Sequence, residues 1–348
     1  LKVLVVHPGP HFSVADVHRG LLKGLNQCGV DAREFNLHDR LNFYSLATLE
    51  KDSEHVKAFS EDAALEMAAK GLEAALYEWW PDMVIIVSGF FIPPFVWGVL
   101  ARRPHHVVLW CTESPYEDGK QTQPARYADT VILNDPVNLE SFQQHTNPRT
   151  FYFPHSYDPD VHCPRPVDPN LASDFAFVGT GFPSRVEFFE QVDWTGLDVL
   201  LAGNWQTLSD DSPLLPFLAT ARDQCLDNAD AARLYTSAKV NANLYRKELL
   251  EGGTADGWAM GPREVELAAC GAFFLREPRG EGDDLFPMLP TFRTPDEFSD
   301  LLRWWLAHES ERDTAATAAR AAVADRTFQN TAARLLRLVD GVGKPVTR

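Results

Sequence analysis

Short apolar runs broken by glycine- or proline-bearing turns recur along the first half of the chain. Residues 3–6, 32–35, 83–87, 107–110, 130–133 and 150–153 are brief, mostly β-branched stretches with apolar side chains at consecutive positions. Continuous rather than alternating apolarity marks strands buried on both faces of a parallel sheet. Helical spacing lies between them. Val17, Leu21, Leu22 and Leu25 share one face of a helix predicted over 14–28 and stopped by Gly29, and an alanine-rich helix over 58–80 is stopped by Pro81. Pro154, Pro159, Pro164, Pro166 and Pro169 then fall in one polar stretch, the composition of a linker.

Beyond that stretch the alternation resumes. A strand over 175–178 ends at Gly179-Thr180-Gly181 before a helix over 185–192, and a strand over 199–202 ends at Gly203. A helix over 229–238 leads into a strand over 240–244, a short helix after Gly261 leads into a strand over 272–275, and helices around 295–307, 309–325 and 327–339 close the chain. The expected fold is α/β: two Rossmann-like domains with a cleft between them, ligands lying at the strand C-terminal ends. The expected boundaries are an N-terminal domain over 1–155, a proline-rich linker over 156–173, a second domain over 174–325 and a C-terminal helix over 326–348, whose return to the first domain stays open.

Composition narrows the function. A length of 348 residues suits two domains, and 45% hydrophobic with 23% charged residues suits ordinary cores. The net charge of −17 argues against a broad surface tracking nucleic-acid phosphates but leaves room for a local basic site. The five cysteines are odd in number and show no Cys-x-x-Cys spacing, so neither a disulfide framework nor a zinc site is expected, and a cytoplasmic location is. The first apolar run is broken too early, by His7-Pro8-Gly9-Pro10, for a signal peptide, and no run is long enough for stable membrane insertion.

The densest candidate chemistry is Gly261-Pro262-Arg263-Glu264-Val265-Glu266 followed by Leu267-Ala268-Ala269-Cys270-Gly271. Pro262 suits a first helical turn, and the free N–H groups there with Arg263 would form an anion site. From the next turn Glu266 would accept hydrogen bonds from a ribose diol. The plainer alternative is an exposed surface glutamate with Gly271 as a C-cap. Gly179, Thr180 and Gly181 follow a strand, where backbone N–H groups can approach a phosphate, although glycines also make ordinary strand–helix turns. Arg185 and Arg263 are pyrophosphate candidates or else surface arginines. Asn241 and Asn243 would contact nucleotide or cap backbone. The aromatic cluster Phe90-Phe91-Ile92-Pro93-Pro94-Phe95-Val96-Trp97 would line an acceptor pocket or pack the core.

Four segments in register resemble retaining glycosyltransferases of the GT-B fold, related to glycosyltransferase family four, and within them most nearly the CgeB-like (spore maturation protein) group. Glu266-Leu267-Ala268-Ala269-Cys270-Gly271 after Pro262-Arg263 is similar to the donor-binding motif; Phe175-Ala176-Phe177-Val178-Gly179-Thr180 with Arg185 is similar to a glycine-turn segment. Lys239-Val240-Asn241-Ala242-Asn243-Leu244 with Arg246, and Phe153-Pro154-His155-Ser156-Tyr157-Asp158, resemble two others. The likeness covers roughly residues 150–335. In the first half it extends to architecture, to the loop His7-Pro8-Gly9-Pro10-His11, and to Trp110-Cys111-Thr112-Glu113-Ser114-Pro115.

The resemblance implies transfer of a sugar from a nucleotide diphosphate, UDP- or GDP-sugar favoured, with retained anomeric configuration. It implies no required cofactor and no metal; the Asp-x-Asp sequence Asp158-Pro159-Asp160 lies in the linker. Glu266, Arg263, Arg185, Gly179, Thr180, Gly181, Gly261 and Asn243 would hold the donor nucleotide. Glu113 and His11 would act on sugar or acceptor, with His7, Gly9 and Trp258 as contacts. Trp258 stands where family four usually carries a first, sugar-contacting glutamate, which leaves the sugar open. An epimerase or hydrolase of the same fold and a non-catalytic nucleotide-sugar-binding module are the alternatives. The acceptor is a protein, glycan, small molecule or modified DNA, the last disfavoured by net charge.

Overall fold

The computed structural model describes residues 1–10, 14–51, 54–248 and 256–340. It divides into two compact units, one of Leu1–Phe153 with the chain from Phe328 onward, the other drawn from 154–327.

In the first unit the elements are β1 (Lys2–Val6), α1 (Ala15–Gln27), β2 (Asp31–Phe35), α2 (Leu37–Leu46), β3 (Thr48–Lys51), β4 (Glu54–Lys57), α3 (Glu61–Trp79), β5 (Met83–Val87), α4 (Pro94–Ala101), β6 (His106–Cys111), α5 (Asp118–Ala125), β7 (Thr130–Leu133), α6 (Leu139–His145) and β8 (Thr150–Tyr152). Six parallel strands run in the order β2-β1-β5-β6-β7-β8, and β3 and β4 form a separate antiparallel ribbon. The consecutive apolar residues now have a cause. Leu4, Val84, Ile86, Val107 and Leu109 pack with α3 and α4, while Val3, Val5, Ile85, Val108 and Trp110 pack with α1 and the last helix. Successive strand side chains point to opposite faces, and both faces are covered.

In the second unit the elements are β9 (Ser173–Val178), α7 (Pro183–Glu190), β10 (Val199–Ala202), α8 (Asn228–Ser237), β11 (Ala238–Asn243), α9 (Pro262–Ala269), β12 (Phe274–Arg276), α10 (Gly280–Leu285), α11 (Pro295–Ala307) and α12 (Glu309–Ala322). Its four parallel strands run in the order β10-β9-β11-β12. One core joins Phe175, Phe189, Trp205, Phe274 and Phe298.

Helix α13 (Phe328–Asp340) belongs to the first unit and packs on α1. Their close approach depends on glycine. A Cβ at Gly20 would overlap the Phe328 ring, and one at Gly24 would overlap the Phe328 backbone carbonyl. Backbone cannot swing aside as a side chain can, so Gly24→Ala costs about 1–3 kcal/mol of overpacking, which exceeds the gain of up to about 1 kcal/mol from helix propensity. Gly98 in α4 has open space around its Cβ position. Thermal unfolding therefore shows a lowered Tm for Gly24→Ala and an unchanged or raised one for Gly98→Ala.

One expected boundary moves for a physical reason. The long helix starts at Glu61 rather than residue 58, because the Ser60 side chain accepts from the Ala63 amide as an N-cap. Its other end is Trp80 in the left-handed region, φ 53°. The antiparallel ribbon and the mostly exposed α2 carry little apolar periodicity and are not foreseen in the pattern.

Candidate functional site

In the second sheet β9 is flanked by β10 on one side and β11 on the other, so the chain reverses its winding between β9 and β11. Loops at such a switch point leave a crevice at the strand C-terminal ends. Arg185 ties the two loops together. Its Nη1 donates to the Thr180 carbonyl at 2.9 Å and its Nη2 to the Leu244 carbonyl at 2.6 Å, and the guanidinium lies 5.0 Å from the Phe182 ring centre. Arg185 is 6% exposed. It is therefore a buried positioning residue for this crevice rather than a surface arginine.

Arg263, in the first turn of α9, reaches the same place. Nη1 donates to Asn243 Oδ1 at 3.0 Å, and the guanidinium rests against Gly179, where any Cβ would overlap Nη2. Asn243 is 2% exposed, and its Nδ2 is a buried donor with no partner among the described residues. One turn along α9, the half-buried Glu266 has Oε2 3.5 Å from the Tyr235 hydroxyl. Gly179, Asn243 and Arg263 thus converge, Glu266 joins them through Tyr235, which interacts with Arg263 as well, and Arg185 with Thr180 braces them. Asn241 is separate: its Nδ2 donates to the Tyr235 and Phe273 carbonyls, the backbone-capping alternative.

The glycine amides do not have the expected role. Gly179 N–H donates to the Ala202 carbonyl at 2.9 Å, Gly181 N–H to the Asn204 carbonyl at 2.8 Å, and Gly261 N–H to Glu264 Oε2 at 3.0 Å. The Ser184 amide in the first turn of α7 is taken by Glu248 at 2.8 Å. These four amides are already satisfied within the protein. What the glycines supply is room: Gly181 for the Trp205 ring, Gly179 for Arg263, and Gly203, at φ +111°, for the Gly179 backbone.

A second group around the start of α9 joins Trp258 and Gly261 with Tyr245, Glu264, Arg276 and Arg279, to which the sequence pattern gives no role. Glu264 is fully buried and caps the helix through the Gly261 amide while accepting from the Tyr245 hydroxyl. Burial pushes its carboxyl up to about 7 against those hydrogen bonds and the nearby Arg276 and Arg279. Arg279 lies 4.2 Å from the Tyr245 ring centre and donates to the Ala259 carbonyl at 3.1 Å. Arg276 is 2% exposed and pairs with Asp283 at 2.7 Å. Trp258 is 40% exposed, with its ring against Gly280 and its carbonyl accepting from the Glu281 amide. A glutamate three residues after the Gly261 N-cap is the capping-box spacing, and that signal identifies Glu264. Arginines 185, 263, 276 and 279 stand here among the carboxylates of Glu264, Glu277, Glu281 and Asp283.

In the first unit, His7 and Gly9 follow β1 and the half-buried Glu113 follows β6. His11 lies outside the described residues. Gly9 has φ +85°, and its Cβ position meets the Phe91 ring at 3.0 Å. His7 Nδ1 accepts from the Gly9 amide at 3.1 Å, which requires that nitrogen unprotonated. Burial, then His38, lowers its pKa to about 4. His7 is consequently neutral near pH 7 and shapes the loop in which it sits.

Residues 185–337 match the family model described as "Glycosyl transferase-like", a span that includes Arg185, Asn243, Trp258, Gly261, Arg263 and Glu266. No curated protein matches the chain in sequence. Solved structures do match its fold. Sucrose-phosphate synthase from Thermosynechococcus elongatus is similar over 98% of this chain and 100% of its own, with a TM-score of 0.67 and 12% identity. The Anabaena protein HepE, solved with UDP-glucose, is similar over 97% of this chain and 99% of its own, with a TM-score of 0.61 and 13% identity. A candidate UDP-N-acetylglucosamine 2-epimerase from Listeria monocytogenes is similar over 98% and 96%, with a TM-score of 0.61 and 11% identity. Among the described residues no helix is long and apolar enough to cross a membrane. The chain accordingly has the GT-B fold of glycosyltransferase structures, and the crevice that holds Arg263, Asn243 and Glu266 lies in the portion that matches a glycosyl transferase-like family.

Proposed function

We propose that this protein is a glycosyltransferase that moves a sugar from a nucleotide-diphosphate sugar, UDP- or GDP-linked, to an acceptor hydroxyl with retention of anomeric configuration. The observation that carries the reading is the meeting of Arg263 and Asn243 beside Gly179 at the switch point of the second sheet, with Glu266 one helical turn from Arg263 and linked to it through Tyr235. Arg263 neutralises the diphosphate, the orphaned Asn243 Nδ2 donates to one of its oxygens, and Glu266 holds the ribose diol. Thr180, Gly181 and Gly261 keep the surrounding backbone in place, and Trp258 offers a ring face to the sugar. The nucleotide sugar is a co-substrate and no further cofactor is invoked.

In the transfer, the acceptor oxygen bonds to the anomeric carbon. The bond from that carbon to the diphosphate oxygen breaks, and its electron pair leaves with the diphosphate. The acceptor proton passes to Glu113, with His11 and His7 assigned to substrate contact. HepE, a fold relative solved with UDP-glucose, supports the donor class, and the family match over 185–337 supports the reaction class. The fold likeness to a candidate epimerase favours one second reading, isomerisation or hydrolysis of the donor alone.

Proton NMR of UDP-glucose, UDP-N-acetylglucosamine and GDP-mannose incubated with the protein separates the two. The glycosyltransferase reading expects donor binding and little change without acceptor. Rapid conversion to an epimer, or to free sugar with UDP or GDP, contradicts it.

A further inference from the structure

Two cysteines far apart in sequence meet in the second unit. Cys163 lies in the proline-rich stretch and Cys270 at the end of α9, and both are free thiols. The Cys163 backbone N–H faces the Cys270 sulfur, and the two thiols interact electrostatically. Their neighbours pack together as well: a Cβ at Gly271 would stand 3.5 Å from the Pro164 ring. An amide facing a sulfur carries its own Cα only about 1.5 Å further on. Bridging the pair therefore asks for a side-chain rotation at Cys163 and little backbone movement.

Each backbone is fixed by its own hydrogen bonds. On the Cys163 side the Asp158 carbonyl accepts from the Val161 amide at 3.1 Å and the His162 amide at 2.7 Å, and Arg165 Nη2 donates to the Val161 carbonyl at 2.8 Å. On the other side the Cys270 amide donates to the Glu266 carbonyl at 2.9 Å, and Gly271, at φ +69°, turns the chain out of α9.

The two thiols differ in access. Cys163 is half-buried and Cys270 is 2% exposed. Burial, then Glu266 and Cys163, push the Cys270 thiol up to about 12. A reagent from solvent reaches Cys163 first, and Cys270 stays a thiol until a reactive sulfur lies beside it.

We propose that Cys163 and Cys270 are a redox modification site, a thiol pair that a peroxide converts to a reversible disulfide and that thereby governs the nucleotide-binding helix. The Cys163 sulfur gives an electron pair to one peroxide oxygen; the O–O bond breaks, the other oxygen leaves as water with the Cys163 proton, and a sulfenic acid remains. The Cys270 sulfur then bonds to the Cys163 sulfur, the S–O bond breaks, and a second water leaves with the Cys270 proton. Two electrons pass from the thiols to the peroxide, and a dithiol reductant reverses the change.

Helix periodicity carries the effect to the site. Cys270 is four residues after Glu266, so the two share one face at the end of α9, and Tyr235 interacts with both. Drawing the Cys270 sulfur onto Cys163 pulls the last turn of α9 toward the proline-rich stretch and moves Glu266 from its place 3.5 Å from the Tyr235 hydroxyl. Oxidation then weakens nucleotide binding. This consequence rests on the glycosyltransferase reading; the disulfide does not.

The test treats the full chain with hydrogen peroxide, digests a portion without reduction for mass spectrometry, and titrates UDP and GDP calorimetrically into the reduced, oxidised and dithiothreitol-treated protein. A peptide pair linked through Cys163 and Cys270 appears, the oxidised protein binds its nucleotide about tenfold more weakly, and dithiothreitol restores binding. Cys163→Ser, at a half-buried position, abolishes both the linked peptides and the loss of binding, whereas Cys225→Ser, at an exposed cysteine, keeps both. Absence of the linked peptides, nucleotide binding indifferent to their formation, or a loss of binding that persists in Cys163→Ser overturns the inference, and nucleotide binding by the reduced protein in any of these cases leaves the glycosyltransferase reading standing. Linked peptides with no nucleotide binding in any state remove that reading, and the effect on binding with it, while the disulfide stands.

Discussion

Arg263→Ala lowers sugar transfer by about 10²–10³-fold, mostly in kcat, while the protein stays folded. Charge on the departing diphosphate grows as the bond to the anomeric carbon breaks, and a fixed guanidinium stabilises that growth more than it stabilises bound donor. Arg263 is only half-buried and stands at the start of α9, outside the apolar core, so its loss removes charge without opening a large cavity. Arg263→Lys restores little. A lysine cannot keep Asn243 Oδ1, now 3.0 Å from Nη1, and present a second planar donor to the ligand. Steady-state kinetics with a matched acceptor measures this; a loss confined to KM would assign Arg263 to uniform ground-state binding.

The second large effect is on stability and carries a pH signature. Glu264 has its carboxyl raised from 4.5 to about 7 by burial. A carboxyl with a higher pKa folded than unfolded favours folding in its protonated form. Its contribution is whole below about pH 4.5 and is lost as pH rises through about 7. The loss amounts to about 3 kcal/mol for a shift of this size. The side-chain amide introduced by Glu264→Gln imitates the protonated acid, since one amide oxygen can accept both from Tyr245 and from the Gly261 amide, as Oε2 does now. Chemical denaturation at several pH values then shows the variant gaining on the parent by about 3 kcal/mol between pH 4.5 and 8. His7, His18 and His155, each lowered to about 4 by burial, act in the opposite sense, losing stability as pH falls from 6.5, but they are common to both proteins and cancel in the comparison. Glu264→Ala behaves differently. It leaves two half-buried donors, the Tyr245 hydroxyl and the Gly261 amide, without their acceptor and destabilises at every pH.

The strands were legible because burial on both faces writes itself as consecutive apolar residues; 130–133 and 199–202 coincide with β7 and β10. The glycines were legible as glycines but not in their purpose. Gly179 and Gly181 look like a phosphate loop until Ala202 and Asn204, brought beside them from the end of β10, prove to hold their amides. That pairing depends on strand neighbours, which local spacing does not encode. The same holds for Asn243 and Asn241, two residues apart on one strand: one meets Arg263 and the other caps backbone. Glu266 stood out by its place in a resembling motif, whereas Glu264 sat unnoticed in the same helix although its capping-box spacing was present. Gly20 and Gly24 gave no sign that α13 would return to cover them.

The central claim is that the second unit grips a nucleoside diphosphate, with Glu266 on the ribose. Calorimetric titration of UDP, GDP and the 2′-deoxy form of whichever binds more tightly, against the parent and Glu266→Ala, tests it directly. The account predicts that the parent prefers the ribonucleotide by roughly tenfold and that Glu266→Ala weakens the ribonucleotide while erasing that preference. Equal binding of ribo- and deoxyribonucleotide by the parent, or a preference that survives in Glu266→Ala, contradicts it.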